Sequence, residues 1–169
     1  MKLLTLWKSL LGQKKSNRAE LRLSHLKLGE RSNAYEEYLR QTLRFEPIIR
    51  REFNQMIFFN VFFENVKFEN YSYIMKDIDG ISRVDRIILW SSYEEKEKAV
   101  QKLHQIKHVI CSKFQETGEI EDPQLYLEPA NSYALNADTE VRLGLRKIKE
   151  YGIYDYAAEL SFIPKDHNK

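Results

Sequence analysis

Phe53-Asn-Gln-Met-Ile-Phe-Phe-Asn-Val-Phe-Phe-Glu-Asn-Val-Lys-Phe68 is the stretch on which the fold turns. Read with a period of two, Phe53, Ile57, Phe59, Val61 and Phe63 point one way, while Met56, Phe58, Phe62, Val66 and Phe68 point the other. Both faces are therefore apolar. β-Branched and aromatic side chains dominate and Pro and Gly are absent, which favours a strand over a buried helix. Left uncovered, such a segment is the main aggregation hazard of the chain. The expectation is a central strand with strands on both sides and a helix over it.

On the N-terminal side, Asn33 as cap and Glu36 at the third helical position open a helix over 34–44, with Tyr35, Tyr38, Leu39 and Leu43 on one side and Pro47 beyond its end. Residues 19–28 alternate Leu21, Leu23, Leu26 and Leu28 with polar residues, a strand pattern that Gly29 terminates. On the C-terminal side, Asn70 to Asp79 places Tyr71, Ile74, Met75 and Ile78 at helical spacing, with Asn70 as cap and Gly80 as exit. That predicts one helical crossing. Arg86 to Ser91, containing Ile87, Ile88, Leu89 and Trp90, then reads as a short strand, and Ser92 with Glu95 as a capping box for a helix over 93–114 with an apolar stripe from Val100 to Phe114.

Gln115 to Gln124 is acidic, contains Gly118 and Pro123, and reads as a loop. Strands are expected at 125–127 and 133–145, separated at Pro129-Ala-Asn-Ser132 or interrupted at Asn136-Ala-Asp138. Within the latter, Val141, Leu143 and Leu145 alternate with Arg142, Gly144 and Arg146, giving a half-buried strand with a basic outer edge. A final edge strand is expected over 156–163. This order predicts an α+β fold: a mixed or antiparallel sheet around a central Phe-rich strand, packed by two to three helices.

The chain has 169 residues, enough for one domain with a tail. Its formal net charge is only +2, but the charge is segregated. Lys2, Lys8, Lys14, Lys15, Arg18, Arg22, Lys27 and Arg31 face only Glu20 and Glu30 in residues 1–31, a net +6, which leaves −4 for residues 32–169. The domain reading follows that line: a basic amphipathic arm over 1–31 and a single globular domain over 32–169. In residues 2–11, helical spacing puts Leu3, Leu4, Leu6, Trp7, Leu10 and Leu11 on one arc and Lys2, Thr5, Lys8 and Ser9 on the other. Gly12 ends the helix and a polar basic linker through Arg18 follows.

Such a helix is unstable alone in water and has the composition of an interfacial anchor. The plainer alternative is that its Leu face packs on the domain core. The basic linker favours a membrane or partner surface. The assigned membrane-binding set is Lys2, Leu3, Leu4, Leu6, Trp7, Lys8, Leu10, Leu11, Lys14, Lys15 and Arg18. Arg22, Lys27, Arg142, Arg146, Lys147 and Lys149 are candidates for a nucleic acid or another acidic partner, since clustered positive charge permits such binding without specifying it.

Cys111 is the single cysteine, so no intramolecular disulfide forms, and a reducing compartment fits. The apolar start is interrupted by Thr5, Lys8 and Ser9 and lacks a cleavage site, and no later run approaches the roughly 18 apolar residues of a spanning helix. The expectation is a peripheral protein, neither secreted nor transmembrane. His104, His108 and Cys111 fall on one helical flank with zinc-compatible donors, yet no fourth ligand is marked and all three border the apolar stripe, so core packing is the better reading. Asp77, Asp79 and Asp85 lack calcium-loop spacing. No phosphate loop or nucleophile motif is recognisable, so neither an enzyme, a cofactor nor a small-molecule substrate is expected.

Several fragments resemble rhabdovirus matrix proteins, in particular a small member of the plant-infecting branch. They are the apolar-basic start Leu6-Trp-Lys-Ser-Leu-Leu-Gly-Gln-Lys-Lys15, the Phe-rich strand followed by Asn70-Tyr-Ser-Tyr-Ile74 opening a helix, and Asp138-Thr-Glu-Val-Arg-Leu-Gly-Leu145. The prolines of a budding motif are missing from Ala34-Tyr-Glu-Glu37. The resemblance implies a non-enzymatic structural protein of the virion and the cytoplasmic face of host membranes. It would bind the inner, anionic membrane leaflet, self-associate and condense the nucleocapsid for assembly and budding. A peripheral membrane or partner-binding adaptor of bacterial origin shares the arm logic, and a small enzyme is the remaining alternative.

Overall fold

The computed structural model describes residues 20–44, 48–50, 54–150 and 153–165. Its elements run β1 (Glu20–Leu21), a 3-10 turn (Leu23–His25), α1 (Ser32–Leu43), β2 (Ile48–Arg50), β3 (Gln55–Phe63), β4 (Val66–Ile78), β5 (Ile81–Tyr93), α2 (Lys96–Val109), a 3-10 turn (Cys111–Lys113), β6 (Gln115–Ile120), β7 (Ala130–Ala134), β8 (Thr139–Glu150) and β9 (Ile153–Pro164). All nine strands join one sheet, ordered β1-β3-β4-β5-β9-β8-β7-β6, with β2 also on β3. Only the β1–β3 pair is parallel.

This corrects the expected helix-packed α+β fold built around a central strand. The sheet dominates the described residues and two α-helices accompany it. It consists of two antiparallel meanders, β3-β4-β5 and β6-β7-β8-β9, joined along β5 and β9. The Phe-rich segment is not at the centre. It is a hairpin, β3 plus the start of β4, turning at Glu64-Asn65, and β3 has only the short β1 and β2 outside it.

Its double apolarity has a local cause. In β3 the core-facing set changes from Met56 and Phe58 to Val61 and Phe63, and β4 changes in step from Tyr73 and Tyr71 to Phe68 and Val66. The switch falls at Asn60, whose φ of 54° is left-handed, a conformation that Asn tolerates better than most residues. A change of parity thus puts both odd and even positions in one core.

The predicted helix over 70–79 is strand instead. Tyr71, Tyr73 and Ile74 suit a pleated ladder, and Asp79-Gly80, both at positive φ, is a two-residue hairpin turn rather than a helix exit. The predicted loop at 115–124 begins as β6, whose acidic residues guard an exposed sheet edge. Residues 125–127 lie in the segment between β6 and β7, not in a strand, and the 133–145 run is divided at Asn136–Asp138 into β7 and β8. The final strand, β9, is internal, paired on both sides by β5 and β8.

One face of the sheet carries the main core. A row formed by Met56, Tyr73, Ile87, Phe162, Val141 and Tyr133 crosses six strands, all buried. α1 adds Tyr35, Leu39 and Leu43, and α2 with the turn after it adds Ile106, Ile110 and Cys111. α1 ends at Arg44, whose N–H donates to the Arg40 carbonyl in a left-handed cap.

Candidate functional site

Between β1 and α1 the chain crosses one end of this core, and its path is set by polar contacts. Leu21 is completely buried beside Phe63. Leu23 then donates its N–H to the Glu64 carboxylate at 2.8 Å, and Lys113 donates to the other carboxylate oxygen at 2.7 Å. The Tyr35 hydroxyl donates to the His25 carbonyl at 3.2 Å and shares a hydrogen bond with the Tyr71 hydroxyl. Val84 makes the next contacts with Gly29 and Glu30, as the Gly29 N–H donates to the Val84 carbonyl at 2.8 Å and the Val84 N–H to the Glu30 carbonyl at 2.9 Å. Residues 23–30 are therefore fixed at both ends against the sheet.

They border a cleft of about 410 Å³, which Leu23, Leu26, Leu28, Leu135, Thr139 and Phe162 line. Lys27, Glu30 and Asn136 complete the lining. The four leucines are only partly buried, although they pack on the core. The volume lies at the lower end of the range of small-ligand pockets, roughly 300–1,000 Å³. Its lining offers apolar contact and one charge of each sign.

On the other face of the sheet, the predicted basic residues of β8 meet acids. The Arg146 guanidinium donates to the Glu159 carboxylate at 2.6 Å, and Glu159 is buried. Arg142 Nε donates to Glu140 at 2.9 Å, and Glu140 also accepts from the Ser132 hydroxyl at 3.1 Å. Burial raises the Glu140 carboxyl, but the Arg142 and Ser132 hydrogen bonds and the Arg142 charge outweigh it and hold the group below its usual value. The Tyr126 ring lies over Gly144, where an added Cβ would come within 2.4 Å of it. Tyr126 is buried, and desolvation raises its phenol above the ordinary value.

β8 is therefore an inner strand, and its Arg142 and Arg146 are engaged by carboxylates. Lys147 projects from the opposite face by alternation, and the Lys149 side chain lies outside the described residues. Arg22 and Lys27 are exposed, and Lys27 lines the cleft. The structure thus does not gather the six partner-binding candidates onto one surface. The eleven membrane-binding residues assigned to the N-terminal segment, from Lys2 to Arg18, all lie outside the described residues.

The helical flank of His104, His108 and Cys111 also separates. Both imidazoles are exposed, whereas Cys111 is 1% exposed and packed in the core. Burial pushes its thiol up to about 12, which keeps it protonated. Among the described residues no three His, Cys, Asp or Glu side chains group to hold a metal ion.

Sequence reasoning missed the cleft and the Glu159–Arg146 pair. The alternation Asp155, Ala157, Glu159, Ser161 along one face of β9 carried a signal for the pair, since a strand with Glu facing an Arg-bearing neighbour invites an ion pair. No local pattern signalled the cleft, because Leu26 and Leu135 meet only through the fold. No helix among the described residues is long and apolar enough to cross a membrane. Comparison with known proteins found no matching family model, curated protein or solved structure.

Proposed function

We propose that this chain is a peripheral docking protein that attaches to an anionic membrane surface through its N-terminal segment and presents the sheet domain at that surface. The reading is carried by residues 2–18. Leucines and Trp7 occupy one helical arc, Lys2 and Lys8 the other, and Lys14, Lys15 and Arg18 follow. Apolar insertion supplies part of the attraction, and each Lys or Arg close to an anionic surface adds about 1 kcal/mol. The domain offers less competition for that role, since Arg142 and Arg146 are already held by Glu140 and Glu159.

Asn70–Ile74, one of the fragments resembling a matrix protein, lies inside β4 and opens no helix. Self-association and nucleocapsid binding are the further steps that a matrix-like role adds. Both belong to the proposal only through the remaining sequence fragments.

The test is co-sedimentation of the full chain with neutral and with anionic vesicles at low and high salt, beside a full-chain Trp7→Glu/Leu10→Glu variant. The parent is expected to pellet with anionic vesicles, less at high salt, and the variant to remain in solution. Equal pelleting of parent and variant, or no pelleting of the parent with either lipid, overturns the proposal.

A further inference from the structure

The cleft mixes polar groups with four partly buried leucines, and the N-terminal segment carries a leucine-rich face in its sequence. Leu23, Leu26, Leu28 and Leu135 line a space of about 410 Å³ and are all partly exposed. The chain itself supplies a second apolar row in its sequence, Leu3, Leu4, Leu6, Trp7, Leu10 and Leu11 at helical spacing. Connectivity brings the two together. The described chain begins at Glu20, Leu21 is anchored beside Phe63, and Leu23 already lines the cleft two residues later.

Residues 12–19 span at most about 26–29 Å when extended. A helix over 2–11 is about 15 Å long. The segment can therefore turn back and lay its apolar arc along the cleft. A short tether gives a local concentration in the millimolar range, so even a modest apolar contact is occupied within one chain before a second copy competes.

We propose that, away from a membrane, the Leu and Trp face of residues 2–11 docks intramolecularly in the cleft lined by Leu23, Leu26, Leu28 and Leu135, and that membrane capture requires its release. This rests on the membrane reading above and adds its regulation. The same face serves both partners, so cleft and bilayer binding are mutually exclusive. Apparent vesicle affinity is reduced by the fraction of chains in which the segment is free. If about nine-tenths of the molecules are closed, opening the latch raises apparent affinity about tenfold. Core packing and surface docking, the two roles open to this helix from sequence, become two states of one device.

The experiment uses full-length Trp90→Phe protein, in which Trp7 is the single tryptophan, with and without Leu26→Gln or Leu135→Gln. Both cleft positions are partly exposed, and Gln changes no charge. Circular dichroism and melting verify that each variant folds, and two separate sites guard against the failure of one. Without lipid, Trp7 of the parent is expected to be shielded from acrylamide relative to free N-acetyltryptophanamide. Each Gln variant should expose it and bind anionic vesicles several-fold more tightly.

Trp7 quenched like the free indole in the parent, or shielding unchanged by both Gln substitutions, overturns the latch. Shielding that grows with protein concentration overturns it too, because a second copy then fills the cleft. Vesicle capture with an exposed Trp7 rejects the latch and keeps the membrane reading. A shielded Trp7 with no capture by any variant rejects the membrane reading and the gating with it, leaving only the docking contact.

Discussion

Glu64 occupies the left-handed region at φ 47° in the β3–β4 turn, yet its carboxylate fixes the start of the cleft wall through the Leu23 N–H and the Lys113 ammonium. Burial raises this carboxyl, but the Lys113 and Leu23 hydrogen bonds and the neighbouring positive charges outweigh it and hold the group below its ordinary value. The sign follows from linkage. A carboxyl whose folded value is depressed contributes stability that is fully present above its unfolded value and is lost as pH falls through the folded one. Glu64→Gln should therefore cost about 1 kcal/mol near neutrality. The gap between parent and variant in urea midpoint should narrow from about pH 5 downward. A gap independent of pH sinks this assignment. None of it was legible in the chain, because Glu64, Leu23 and Lys113 become neighbours only when the hairpin and the two 3-10 turns are in place.

The β4–β5 hairpin shows how a local signal can be present and misread. Ile74, Met75 and Ile78 fit helical spacing, but Asp-Gly between two runs rich in β-branched and aromatic residues is a turn signature with a mechanism. Asp79 and Gly80 both have positive φ, at 51° and 75°. A Cβ on Gly80 would meet nothing within 4 Å, so substitution there tests backbone conformation alone. Gly80→Ala should cost about 1–2 kcal/mol. Gly80→Asn should stay within about 0.5 kcal/mol, because Asn accepts the left-handed region. Equal urea midpoints for Ala and Asn would show that the turn tolerates another geometry. Elements whose periodicity was unambiguous were read well. α1 and α2 lie within two residues and five residues, respectively, of their expected ends, because each buries a 3.6-period stripe. Strand positions were harder where the pattern changed parity, as at Asn60.

At the scale of the molecule, sequence supplied separate strands only, since much of β4 read as a helix and β6 as a loop, and it supplied neither the two meanders nor their junction. β5 and β9 are far apart in the chain, and no local pattern states that Leu89 lies opposite Leu160. That pairing makes β9 an inner strand and displaces the Phe-rich hairpin from the centre. It also makes the two meanders share one core, since Tyr71 and Phe58 continue the Leu89 row on one side and Leu143 continues the Leu160 row on the other. Leu89 and Leu160 are both completely buried. Leu160→Ala should cost about 2–5 kcal/mol through lost transfer energy and the cavity left behind. Because Leu89 lines the same cavity, Leu89→Ala/Leu160→Ala should cost less than the sum of the single changes. The informative measurement is native-state hydrogen exchange along β4 and β8. If one core unites the meanders, Leu160→Ala lowers the protection of the slowest amides in both strands by the same free energy, although it sits in neither. Loss confined to β8 would mean that the meanders open independently, each as its own cooperative unit, and that the β5–β9 seam joins two sheets instead of completing one.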